Sequence, residues 1–353
     1  MISRPKKGGA MPGINDVAQL AGVSTATVSR ALSGNGHVSE ATRERVHAAA
    51  LELEYVVSSN ASSLATGRMK NVGVVIPFLN RWYYGAVLEG AESALLSHGY
   101  DLTLYNLGGG GEERASVFEH FLLRKRVDAV IAIALELTSS EIGRLHDMNK
   151  PIVGIGGTIE GVRTLSINDE AVARLATDHL LSLGHRVIGH IGGDSDSEMD
   201  FHVPTRRRDG YEAALIEAGI PIDPELFQAA DFTIPGGYAA AKQLFGNPHK
   251  RPTAVFVTSD EMAIGAILAA RDLGLQVPYD VSVIGVDDHE LSDFFGLSTI
   301  AQFPALQGRM AVDILMDQLN PGHRELGQAN TALPFELIVR SSTARPNIAR
   351  PTT

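Results

Sequence analysis

Between residues 72 and 286, short apolar runs alternate with amphipathic stretches of roughly ten to fifteen residues, and this rhythm restricts the fold more than any other feature of the chain. The run VGVVIP at 72–77 is apolar without interruption, as a strand covered on both faces must be. Helices are expected over 84–99, 112–124 and 139–148, and strands over 101–105, 129–133 and 151–155. The pattern restarts at residue 170. Helices then fall at 170–183, 207–218, 236–244 and 261–272, with strands at 187–191, 254–257 and 281–286. Consecutive strands joined through a helix pair in parallel, because a parallel pair needs a long crossover. Two such rounds predict two lobes built on parallel sheets, with a cleft beyond the carboxyl ends of the strands.

Those strand ends carry polar and aromatic residues. Trp82, Tyr83 and Tyr84 follow the first strand, and Arg206, Arg207 and Arg208 follow the strand at 187–191. Phe232 comes directly after Asp231, Ser259 and Asp260 follow 254–257, and Asp287 and Asp288 follow 281–286. Aromatic faces combined with fixed charges equip a pocket for a polar ligand. Enzyme and metal chemistry find little support. The chain has no cysteine, which removes thiolate nucleophiles and thiolate metal sites and fits a reducing compartment. The glycine run at 108–111 lacks the Lys-Ser/Thr of a phosphate loop and reads as a surface turn. Asp194, Asp196, Glu198 and Asp200 alternate without the rest of a calcium loop, and His179, His185 and His190 have no nucleophile and acid around them. Neither catalytic residues, nor a metal, nor a cofactor is expected.

The first sixty residues have a different character. Ile14, Val17, Ala18 and Ala21 form one apolar face of a short helix, and Gly22 supplies a tight turn. Ser24 then caps a second helix over 25–32, with Val28 and Leu32 facing inward and Thr25, Ala26, Ser29 and Arg30 left outside. Ser39 caps a third helix, whose buried stripe is Val46, Ala49, Ala50 and Leu53 and whose Arg43 and Arg45 lie on other faces. Two short helices joined by a glycine turn make a helix-turn-helix unit, whose second helix fits a major groove. Charge agrees with this. Eight bases and five acids precede residue 71, a surplus of three positive charges in a chain whose formal net charge is −11. A basic end on an acidic body can meet DNA with one part and repel it with the other.

The segment INDVAQLAGVSTATVSRALSGNGHVSEATRERVHAAALELEY, through DVAxxAGVSxxTVSRxL, VSxxTRxRV and Tyr55, resembles the headpiece of the LacI/GalR family of bacterial transcription regulators. LGHRVIGHIGG, RRRDGY, TSDEMAIGAILAARDLG and VSVIGVDD resemble that family's effector domain, itself similar to periplasmic sugar-binding proteins. The resemblance implies a small all-α helix-turn-helix headpiece joined to an α/β, two-lobed, periplasmic-binding-protein-like body with parallel sheets. The implied limits are a headpiece at 1–57, a hinge helix and linker at 58–70, an effector-binding and dimerisation body at 71–345 and a tail at 346–353. Thr25, Ala26 and Arg30 take the base-reading positions, while Ser24, Thr27, Ser29, Asn35 and Arg43 take backbone positions. In the hinge, Ala61 and Leu64 match the pattern and Ser58 replaces the usual asparagine. Leu64 then wedges a base step in the minor groove. In the body the resemblance assigns the effector to Tyr83, Tyr84, Arg207, Phe232 and Asp287, and Trp82, Ser259 and Asp260 join them as cleft candidates. Ser259 and Gly156 stand where a sugar-responsive member has asparagine and aspartate.

These readings together predict a sequence-specific repressor of carbohydrate-use genes, controlled by a small polyhydroxylated effector such as a sugar. It acts as a homodimer on near-palindromic double-stranded operator DNA, cytoplasmic and nucleoid-associated, with no membrane partner. A sugar phosphate, a nucleobase or a partner protein are the alternative signals. A free-standing solute-binding protein shares such a body but carries an export signal and no headpiece, whereas MISRPKKGGAMPG is basic with no apolar stretch behind it.

Overall fold

A computed structural model describes residues 12–33, 37–55, 67–108, 111–122, 126–193, 202–320 and 330–347. The chain divides into two compact units, Met1–Lys70 and Asn71–Thr353. In the first, α1 (Ile14–Ala21), α2 (Thr25–Ser33) and α3 (Glu40–Glu52) enclose Val17, Val28 and Val46, each fully buried. Burying a side chain of that size contributes roughly 1.5–3 kcal/mol. The alanines of the same core let the helices approach closely. Gly22 ends α1 in the left-handed region at φ 65°, the Ser24 hydroxyl accepts from the Thr27 N–H at 3.2 Å, and the Ser39 hydroxyl accepts from the Thr42 N–H. Ala31 is buried on the inward face of α2, whereas Leu32 is only half-buried.

The second unit holds two six-stranded sheets. The first contains β1 (Asn71–Ile76), β2 (Asp101–Asn106), β3 (Ala129–Ile133), β4 (Ile152–Ile155) and β5 (Arg163–Ser166). The second contains β6 (Ile188–Gly193), β7 (Phe227–Ala230), β8 (Ala254–Val257), β9 (Ser282–Asp287) and β10 (Ser298–Ala301). Two late strands, β11 (Asn330–Ala332) and β12 (Glu336–Ile338), complete them in the orders β11-β5-β4-β3-β1-β2 and β12-β10-β9-β8-β6-β7. All pairings are parallel except β10 with β12. By this strand order the chain passes between the sheets three times: after β5, after β10 and after β11.

Helix pairs cover the sheets at close range. Trp82–Ser97 lies on Pro304–Leu319 through Gly90 and Gly308, and Ile234–Gly246 lies on Asp260–Asp272 through Gly237 and Gly265. A Cβ at any of these four glycines would fall within 2.3 Å of backbone on the facing helix. The helix expected over 112–124 is α-helical only over Gly111–Ser116 and continues as a π turn at Val117–Phe121. The wider turn accompanies burial of Val117, Phe118 and Leu122 in one apolar cluster. Among the described residues, no helix is long and apolar enough to cross a membrane, and no group of side chains could hold a metal ion.

Candidate DNA-reading face and ligand cavity

On α2 the capping by Ser24 fixes which side chains face outward. Thr25, Ala26, Ser29 and Arg30 are exposed and Thr27 is half-buried, with its hydroxyl 2.9 Å from that of Ser24. Arg30 folds back along its own helix, its Nε donating to the Ala26 carbonyl at 3.1 Å. Arg43 is half-exposed and 4.0 Å from Glu40, an exposed ion pair that is worth little. Asn35, Ser58, Ala61 and Leu64 lie outside the described residues.

In the body a cavity of about 630 Å³ opens between the two sheets, at the carboxyl ends of their strands. Tyr83, Tyr84, Arg207, Phe232, Ser259 and Asp287 all line it. Trp82 and Asp260 do not. Three consecutive residues on a helix point about 100° apart, so one cavity cannot collect Trp82, Tyr83 and Tyr84 together. Trp82 instead packs on His289, with ring centroids 4.8 Å apart. Asp260 opens the helix capped by Ser259 and turns its carboxylate into the lobe. There it accepts from the His289 N–H at 2.9 Å and from the Ser292 and Thr299 hydroxyls at 2.8 Å each. Its role is to fix a loop.

The structure adds polar residues that the sequence did not reveal. Arg207 is buried and paired with Asp169 at 2.8 Å, and it also donates to the Thr258 carbonyl. Its charge is therefore already neutralised within the wall. The Tyr83 hydroxyl donates to Gln307 at 2.8 Å, Gln307 donates to the Gln302 carbonyl at 2.6 Å, and the Gln302 amide donates to Asp287. This chain runs from one lobe to the other. Burial raises the Asp287 carboxyl well above its ordinary range, and nearby Asp260 raises it further against the opposing pull of Arg207. Burial also holds the Tyr83 phenol protonated. Of the other ionisable side chains lining the cavity, Arg81 and Arg207 face Asp169, Asp231 and Glu261, an acidic surplus even with Asp287 set aside.

Backbone strain gathers at the same place. Ala134, Phe232 and Asp287 line the cavity with φ of 46°, 59° and 132°, angles that cost a residue bearing a Cβ about 1–3 kcal/mol. Each lies at a strand end, where the chain must turn sharply to present its side chain.

Comparison with known proteins gives the following matches. Residues 13–58 match the family model described as bacterial regulatory proteins, lacI family, and residues 177–343 match a periplasmic binding protein-like domain. The HTH-type transcriptional repressor PurR of Serratia proteamaculans is 37% identical over 340 residues, covering 95% of this chain and 97% of the relative. Among solved structures, a lac repressor dimer bound to operator and the anti-inducer ONPF is 30% identical with a TM-score of 0.80. That match covers 95% of this chain and all of the other. A transcriptional regulator CelR–cellobiose complex is 31% identical with a TM-score of 0.68, covering 94% and 99%.

Proposed function

The chain belongs to the LacI/GalR family of bacterial transcription regulators, DNA-binding proteins and not enzymes, and on that premise we propose that its cavity takes an uncharged, flat ligand of the nucleobase class. One observation carries this reading: beside its charged side chains the cavity presents the Gln302 and Gln307 amides and the Asp287 carboxyl, whose burial favours the neutral form, set among aromatic rings. Gln302, Gln307 and a neutral Asp287 each offer a donor and an acceptor, which suits the alternating edge of a heterocycle. Phe78, Tyr84 and Phe232 offer faces for stacking. An anionic ligand such as a sugar phosphate fits poorly, because Arg207 is already paired and acids outnumber bases. A neutral disaccharide is the second reading. The CelR relative in complex with cellobiose and the size of the cavity favour it.

A thermal-shift screen of the full chain with adenine, cytosine, cellobiose and glucose 6-phosphate tests the choice. A ligand at a hundred times its Kd stabilises by about 2.7 kcal/mol, which such a screen resolves. Stabilisation by a base, lost in Asp287→Ala, is expected. Stabilisation by cellobiose alone would establish the second reading, and a response to glucose 6-phosphate alone would defeat both. Repeating the screen with operator DNA shows whether the ligand recruits or releases the regulator.

On the DNA side, Thr25 and Ala26 set sequence preference, with Arg30 as a third contact. Two copies of the chain read a near-palindrome, because one short recognition helix buries too little DNA. Ala26→Gln exchanges a methyl contact for an amide that can pair with adenine. Site selection from a random library is expected to return a changed half-site, shifted by about 1–3 kcal/mol at one position. An unchanged half-site would show that this helix face does not read bases.

A further inference from the structure

Three contacts cross from lobe to lobe at the edge of the cavity. Trp82, at the start of the helix Trp82–Ser97 in the first lobe, lies against the His289 ring of the second, 4.8 Å between centroids and tilted by 35°. The Trp82 backbone N–H donates to the Glu261 carboxylate at 3.3 Å, and Arg81 donates to the Asp231 carbonyl at 3.1 Å. Trp82 and Glu261 are half-buried and His289 is buried, so the seam is reached by solvent from the Trp82 side.

The His289 side of the seam is anchored from within. Its ring Nδ1 accepts from the Leu291 N–H at 2.9 Å, which sets the tautomer and the tilt of the ring. Its backbone N–H is held by the buried Asp260 carboxylate, which also holds Ser292 and Thr299. The backbone N–H of Asp260 in turn points at the Asp287 carboxyl, 3.4 Å away, inside the cavity. One residue therefore touches both, its backbone N–H meeting the ligand-facing acid and its carboxylate holding the loop on which the tryptophan rests.

We infer that Trp82 and His289 form the contact that holds the lobes closed, and that Asp260 ties this contact to the cavity through Asp287. Neither Trp82 nor His289 lines the cavity, so their contact is a conformational device rather than part of the ligand-facing wall. It rests on the cavity reading only for what triggers it. Interlobe closure is a two-state element, and a ligand that bonds differently to Asp287 in the two states biases it.

Trp82 is the only tryptophan in the chain, so its fluorescence reports the seam without labelling. The test uses the full, ligand-free chain, with acrylamide quenching, emission maximum and small-angle scattering as readouts and circular dichroism to verify folding. Loss of an aromatic pair is expected to shift the closed-to-open ratio by about fivefold in His289→Ala, with redder emission, stronger quenching and a larger radius of gyration. Asp260→Asn removes no atom that touches Trp82, yet it is expected to move the same three readouts in the same direction. Ser292→Ala and Thr299→Val remove one donor each and are expected to do so more weakly, which keeps the test intact if Asp260→Asn does not fold. Unchanged emission in His289→Ala would overturn the closure contact. A shift in His289→Ala with none in folded Asp260→Asn, Ser292→Ala or Thr299→Val would overturn the tie to the cavity. Either result leaves the ligand screen unaffected.

Discussion

Arg207→Ala is expected to lower the stability of the body by about 3–5 kcal/mol, because it strands Asp169 as a buried charge without its partner. For a unit of this size that is a fall in Tm of about 10 °C. The same change is expected to abolish ligand-induced stabilisation, since the guanidinium also lines the cavity. These effects can be separated. Arg207→Met combined with Asp169→Asn removes both charges while keeping their approximate volume, and replacing a buried pair outright is far less costly than breaking it. The double variant should regain much of the lost Tm and still fail to respond to ligand. Calorimetric unfolding with and without the stabilising compound provides the measurement. An Arg207→Ala protein within 1 kcal/mol of the parent would show that water reaches Asp169 and that the pair is not dry.

Gly237→Val is the second change with a large expected effect. The added Cβ would lie 2.3 Å from the Met262 carbonyl oxygen and 2.5 Å from its Cα, both backbone atoms that no rotamer change can move aside. The helices Ile234–Gly246 and Asp260–Asp272 would have to part. That separation opens a core containing Met262, Ala263 and Ala266, displaces Ser259 from the cavity wall and pulls Asp260 from the loop that it holds. The expected cost exceeds about 4 kcal/mol, the range of severe overpacking, and the protein should be largely insoluble or lack a cooperative transition. Gly143→Ala is the control. It also replaces a helical glycine but meets nothing within 4 Å, and it is expected to stabilise by about 0.5–1 kcal/mol. If Gly237→Val melts like the parent, the helices are not packed at the distance described.

The sequence reveals the long elements and the first unit well, for identifiable reasons. The strands starting at 72, 129 and 254 are continuous apolar runs, and both sheets bury them on two faces. The short strands are illegible. RTLS in β5 and FQAA in β7 carry no alternation, and the three-residue strands β11 and β12 are held by neighbours rather than by composition. That gap explains half of the cavity. Gln302 follows β10 and Gln307 lies on the next helix, so neither stands at a strand end that could be recognised. Asp169 reads as an ordinary first-turn acid until the fold brings Arg207 to it. Asp287 and Arg207 are visible because the strands before them are, whereas Phe232, after the illegible β7, is picked out only by the family resemblance. Trp82 and Asp260 stand at the same strand ends but point away from the cavity, a matter of side-chain direction at the helix starts that their position in the sequence does not show.

The three passages between the sheets also constrain how such a chain can be made. A ribosome releases β1 to β5 and the helix Trp82–Ser97 long before the helix Pro304–Leu319 and the strand β11 that finish the same layer. Until then the face bearing Gly90 has no partner, and the edge of β5 stands open to any other strand. The first lobe must therefore wait, partly assembled, through the synthesis of the whole second lobe, an interval of about ten seconds or more at bacterial elongation rates. A nascent chain halted near residue 300 would present an apolar helix face and an unpaired strand at once, the signature by which holdase chaperones and proteases select their clients.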